Sequence, residues 1–150
     1  MSAESDLIKL YSARILALAA GMPRTTRLTA PTATAKRRSP LCGSTVSVDI
    51  VLTDGVITDY GQDVKACALG QAAASLVGSV VVGLTPAQVQ IGRDALFTML
   101  KDGGPVPPAP FSEFDVLKPA RDYKNRHASI MLAFDATLDA VAQARATKTA

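Results

Sequence analysis

The chain has no tryptophan, one histidine and two cysteines among its 150 residues, and only 5% of it is aromatic. Each scarcity excludes a class of function. With so few rings there is little to stack on bases, and the net charge of +3 gathers only at Lys36-Arg37-Arg38, so nucleic acid is not an expected partner. A basic run this short, beside a strand, reads as a solvated edge. One histidine leaves no nucleophile-base-orienter set, and no Gly-rich phosphate loop is present, so the chain is not read as an enzyme. Glu4 and Asp6 sit near the start, and Lys9 and Arg14 interrupt the apolar positions. Neither a signal peptide nor a membrane span is written there, so a cytoplasmic location and no membrane partner are expected. Two cysteines in a reducing compartment favour metal or reactive-thiol chemistry over a structural disulfide.

What is present is enough apolar material, 48% of the residues, for one core. The expectation is a single domain over residues 1–150, its core spanning roughly 5–144, with no internal repeat. Ile8, Tyr11, Ile15 and Leu18 recur at helical spacing, with Ser5 as cap and Gly21 and Pro23 as stop. Leu28 to Ala35 is Thr-rich and contains Pro31, which suits an edge strand. Thr45 to Thr53 alternates Val46, Val48, Ile50 and Leu52 with mostly polar neighbours, Asp54-Gly55 is a preferred hairpin turn, and Val56 to Val64 returns. Three antiparallel strands follow. Ala68 to Val82 is apolar nearly all round, as a helix buried on several sides would be. Thr85-Pro86-Ala87-Gln88 is a capping box with Pro at the first position, opening a helix to about Lys101. Gly103 to Pro110 holds four prolines and reads as an extended loop, and Asn125 to Ala144 as a terminal helix whose stripe is His127, Met131, Phe134, Leu138 and Val141. The fold class is therefore α+β, a three-stranded antiparallel sheet covered by helices.

Extrapolated from the Asp54-Gly55 turn, the hairpin register sets Thr45 against Val64 and Cys42 against Cys67. Opposed residues have Cα atoms about 4.5 to 5.5 Å apart, close enough to share a metal ion or a disulfide. Cys67 also starts a helix, where unpaired N–H groups favour an anionic sulfur. Cys42 lies between Pro40 and Gly43, which stiffen the approach and leave room for cargo. The alternative is that both are small buried apolar side chains.

Pro40-Leu41-Cys42-Gly43, the alternating strand, Asp54-Gly55, Val56-Ile57-Thr58-Asp59, Cys67-Ala68-Leu69 and Ala72-Ala73-Ala74-Ser75 resemble the U-type iron-sulfur cluster scaffold family of IscU, SufU and the N-terminal domain of NifU. The resemblance covers nearly the whole chain. Arg121 to Arg126, leading into the terminal helix, is most similar to the SufU branch. The resemblance implies a transient iron-sulfur cluster or zinc as cargo, a cysteine desulfurase and iron-sulfur acceptor proteins as partners, and Arg126 as a candidate partner contact.

The chain departs from the family pattern at its ligands. Gly43-Ser44 stands where the family has Gly-Asp, which puts Ser44 at a carboxylate ligand position. Ser129 falls where the third cysteine belongs, and Ala128 where the IscU branch has histidine. Cys42 and Cys67 remain. His127, two residues from Ser129, is a candidate replacement ligand and equally a hydrogen-bonded core residue; two residues on a helix are about 200° apart, so it and Ser129 cannot both face the site. Asp63 is a nearby carboxylate that reads as a solvated strand end. Three functions follow as expectations. The first is a scaffold or carrier using Cys42 and Cys67, with His127 or a ligand from a partner or second subunit. The second is a degenerate module that docks an assembly factor without holding a cluster. The third is a dithiol or persulfide sulfur acceptor.

Overall fold

A computed structural model describes residues 11–40 and 43–149, with side chains described as far as residue 146. The elements in order are α1 (Ala13–Ala20), β1 (Ala33–Arg38), β2 (Thr45–Thr53), β3 (Val56–Lys65), α2 (Ala68–Val80), α3 (Pro86–Asp102), a 3-10 segment (Ser112–Asp122) and α4 (Lys124–Thr149). The strands form one antiparallel sheet in the order β1-β2-β3. The expected α+β class is what forms.

Asp54 and Gly55 both have positive φ, 51° and 78°, which the twist of a tight hairpin requires. Near that turn Thr53 pairs with Val56 and Leu52 with Ile57, as the alternation predicts. A bulge then inserts Thr58, and from Val51 opposite Asp59 onward every pair is displaced by one. Thr45 therefore meets Lys65 rather than Val64. The bulge lets Ile57 and Tyr60, three apart, both point into the core. The expected direct opposition of positions 42 and 67 loses its basis with this shift.

Val46, Val48, Ile50 and Leu52 face inward with Ile57 and Tyr60, and α4 lies across β1 and β2. The α4 helix is not single-striped as expected. Ile130 to Phe134, Ala136 and Thr137 are all buried, because the sheet, α2 and α3 surround it. Phe111, Phe114 and Phe134 cluster under the 3-10 segment, with ring centroids 5.1 to 6.1 Å apart. Tyr60 is fully enclosed; burial pushes its hydroxyl above the usual range while its 3.0 Å hydrogen bond with Thr137 pulls the other way.

Three boundaries differ from expectation. In the described residues the first helix is capped by Ser12, whose hydroxyl accepts from the Ile15 N–H; Ser5 and Ile8 lie outside them. The first strand begins only after Pro31, because Leu28 gives its N–H to the Asp49 carboxylate instead of a ladder. It then includes the basic run, with Arg37 paired to Asp139 on α4. The capping box at Thr85 and Gln88 is present in both directions. Between α1 and β1 the chain forms a strap over the outer face of the sheet. The Gln62 N–H donates to the Arg24 carbonyl, and Asp49 gathers the Arg27 guanidinium, the Leu28 N–H and the Thr34 hydroxyl.

Candidate metal centre

The β1-β2 connection closes at its base through backbone hydrogen bonds, the Ser39 N–H donating to the Ser44 carbonyl at 2.8 Å and the Gly43 N–H to the Ser39 carbonyl at 2.9 Å. Gly43 has φ +69°, a left-handed conformation that glycine adopts without strain. Cys42 belongs to this connection and lies outside the described residues, so its expected position opposite Cys67 is not among the observations. Ser44, next in the hairpin, points inward by the alternation of β2 and is 4% exposed.

Cys67 is a free cysteine, half-buried, at the N-cap of α2, and its side chain makes no capping hydrogen bond to its own helix. Its sulfur lies 3.6 Å from the Ser129 hydroxyl on α4. Ser129 donates to the Ser44 hydroxyl at 3.1 Å, and both are buried. The structure thus brings together Cys67, Ser129 and Ser44, from three elements distant in sequence. Gly70 makes the meeting of α2 and α4 feasible: a Cβ there would lie 2.6 Å from the Ser129 oxygen. Gly70 was not singled out in the sequence, where it is one more small residue in an alanine-rich helix.

His127 does not join them. It is 2% exposed, and its Nε2 lies 3.0 Å from the carbonyls of both Ala120 and Arg121, which requires that nitrogen to carry the proton and donate. It borders a cleft shared with Lys101, Gly103 and Arg121, while Ser129 faces Cys67. The imidazole named above as a candidate replacement ligand closes the end of the 3-10 segment here, and of the two residues it is Ser129 that lies against the Cys67 sulfur. Ala128 is exposed and supplies no polar atom, Arg126 is half-buried at the head of α4, and Asp63 is an exposed residue of β3. Among the described residues no three His, Cys, Asp or Glu side chains converge on one point.

As built, the described site offers one thiol and two neutral hydroxyls. A serine hydroxyl stays protonated near neutral pH and is a poor metal ligand but a competent hydrogen-bond donor or acceptor. The arrangement suits a cargo held at the half-exposed sulfur.

No protein-family model and no curated protein matches this chain. Solved structures do. The crystal structure of a nitrogen-fixing NifU-like protein (N-terminal) from Brucella abortus is 44% identical, covers 93% of this chain and 97% of its own, and superposes with a TM-score of 0.91. A protein from Fervidobacterium islandicum AW-1, assigned as an iron-sulfur cluster assembly scaffold for the SUF system, is 15% identical over 89% of this chain and 97% of its own, with a TM-score of 0.78, and shares the fold. At 44% identity over nearly all of both chains, this protein belongs to the NifU-like N-terminal domain family.

Proposed function

We propose that this chain is an iron-sulfur cluster assembly scaffold or carrier that takes iron, cluster or zinc on Cys42 and Cys67. The observation that carries the reading is Cys67, half-exposed at the start of α2 and beside the hairpin connection that contains Cys42, in a chain with 44% identity to a NifU-like N-terminal domain. A SUF scaffold with the same fold supports the same cargo. Two thiolates fall short of the four ligands that zinc and [2Fe-2S] clusters prefer, so the remaining positions are completed from outside, by a partner or a second copy of the chain. Such a site releases cargo readily, as a carrier must. The protein works without catalysis of its own, in the cytoplasm, receiving sulfur from a cysteine desulfurase and passing cargo to iron-sulfur acceptors.

A second reading has its own observation: Ser129 and Ser44, at two family ligand positions, are hydrogen-bonded to each other inside the protein. On that reading the domain docks assembly factors and holds no cluster. Anaerobic reconstitution with iron and sulfide, and loading with zinc, separates the two. The carrier reading expects retained metal and cluster absorbance in the wild type, lost in Cys42→Ser and Cys67→Ser. Absence of bound metal and of cluster absorbance under every condition would end the carrier reading.

A further inference from the structure

Gln62 on β3 is fully buried, and its amide nitrogen faces three acceptors: the Met22 sulfur at 3.4 Å, the Pro23 carbonyl at 3.1 Å and the Ala74 carbonyl at 3.2 Å. An amide nitrogen has two protons, so one acceptor is in excess, and the thioether is the weakest of the three. Turning the amide over would set its oxygen against the same acceptors. One nitrogen thus ties Met22 and Pro23, at the head of the strap, to Ala74 on α2, the helix that opens at Cys67. Gly78 permits the meeting, since a Cβ there would lie 2.7 Å from that nitrogen and 3.2 Å from the Pro23 ring. The next residue, Arg24, has φ +54°, which costs free energy in a residue with a Cβ, and its carbonyl accepts the Gln62 N–H at 2.9 Å. The strap enters under strain and is held by Gln62.

Met22 is where an oxidant can reach this tie. It is half-buried against the core, whereas the other described methionines, Met99 and Met131, are 1% and 5% exposed. A thioether has two lone pairs, and Gln62 engages one. We infer that Met22 is a reversible oxidation site, a latch on the strap that a peroxide opens. The free lone pair attacks one peroxide oxygen; the S–O bond forms as the O–O bond breaks, sulfur gives up two electrons, and the other oxygen leaves as water. The product is a polar side chain whose oxygen is a strong acceptor, so the weakest claimant on the Gln62 protons becomes the strongest. The 3.4 Å between sulfur and nitrogen does not admit an oxygen at hydrogen-bond distance, about 2.9 Å from the nitrogen. Met22 must withdraw or draw the amide with it, and the bonds to Pro23 and Ala74 give way. None of this depends on what Cys67 carries.

The test exposes the folded full chain to dilute hydrogen peroxide and then to dithiothreitol, which restores sulfenic acids and disulfides but leaves methionine sulfoxide. Peptide mass mapping should find one added oxygen at Met22 before Met99 or Met131. Hydrogen exchange at the Gln62 and Leu28 N–H groups should quicken by more than about tenfold while that at Val48 in the central strand does not, and methionine sulfoxide reductases should restore the slow rates. Met22→Leu, close in volume, leaves two protons for the two carbonyls and should keep the slow rates after the same treatment. Oxidation of Met22 no faster than that of Met99 and Met131 sinks the inference, and so does a Met22 sulfoxide that leaves both strap amides protected. Equal quickening in treated Met22→Leu assigns the response to other residues and overturns it as well.

Discussion

Asp49 receives Arg27 across the outer face of the sheet, through guanidinium hydrogen bonds of 2.6 and 2.9 Å, while its own side chain is nearly inaccessible to solvent. The Thr34 hydroxyl at 2.6 Å and the Leu28 N–H at 3.0 Å complete the set. These donors hold the carboxyl down to about 2, the Arg27 hydrogen bond contributing most and burial opposing it. The strap between α1 and β1 is fastened at this point.

Acid should therefore loosen the strap. The folded carboxyl binds its proton less readily than the unfolded one, whose ordinary value is 3.8, so as pH falls the unfolded chain is protonated first. The stabilisation is complete above about pH 4, declines between about 4 and 2, and is gone below that, for a total of about 2 kcal/mol. Denaturant unfolding from pH 6 to pH 2 should show a shallower loss of stability in Asp49→Asn than in the wild type. Parallel curves would remove Asp49 from the acid response.

The strap also depends on Gly61. The Thr26 carbonyl passes 2.5 Å from where a Cβ would stand on that residue, with Leu28 backbone at 3.3 Å, so any side chain must push the strap off the sheet. Gly61→Ala should lower stability by about 2 kcal/mol. The shift should appear in the unfolding midpoint, with cobalt(II) binding at Cys67 preserved. An unchanged midpoint would mean that the strap relaxes freely.

Some of this was legible in the sequence and some was not, for identifiable reasons. The Asp54-Gly55 turn and the Thr85-Gln88 capping box are local: each needs only neighbouring residues, and both form as read. The Thr58 bulge is local too, but its sign is a broken alternation, Ile57 and Tyr60 both apolar at an odd spacing, which a uniform strand register overlooks. The strap was not legible, because Leu28 to Pro31 has strand-like composition and only Asp49, on another strand, reveals where its N–H groups go. At the site, the helical angle between His127 and Ser129 already required a choice. Which one faced the sulfur depended on how α4 packs on α2, a tertiary fact set by Gly70.

His127 should prove to be a structural residue. Its Nε2–H satisfies the carbonyls of Ala120 and Arg121 at the end of the 3-10 segment, in a position shielded from water. Removing the ring leaves those carbonyls without that donor, which costs about 2 kcal/mol. His127→Ala should unfold at lower denaturant and still bind cobalt(II) or zinc at Cys67 as the wild type does. A variant that kept its stability and lost metal would return the imidazole to the ligand set.

Ser129 offers the converse experiment, since the position lies on Cys67 and lacks only the right atom. Two ligands on a tetrahedral zinc, each about 2.3 Å from the metal, are separated by about 3.8 Å. The Ser129 oxygen stands 3.6 Å from the Cys67 sulfur, already near that spacing, in the space over Gly70 that a side chain there would fill. Ser129→Cys therefore adds a thiolate near ligand distance of Cys67. Zinc affinity, measured by competition with a chromophoric chelator, should rise by more than about tenfold, and the gain should vanish when Cys67→Ser is added. An affinity equal to that of the wild type would mean that the sulfur of Cys67 turns away from α4 when it takes a metal, and that Ser129 neighbours the empty site alone.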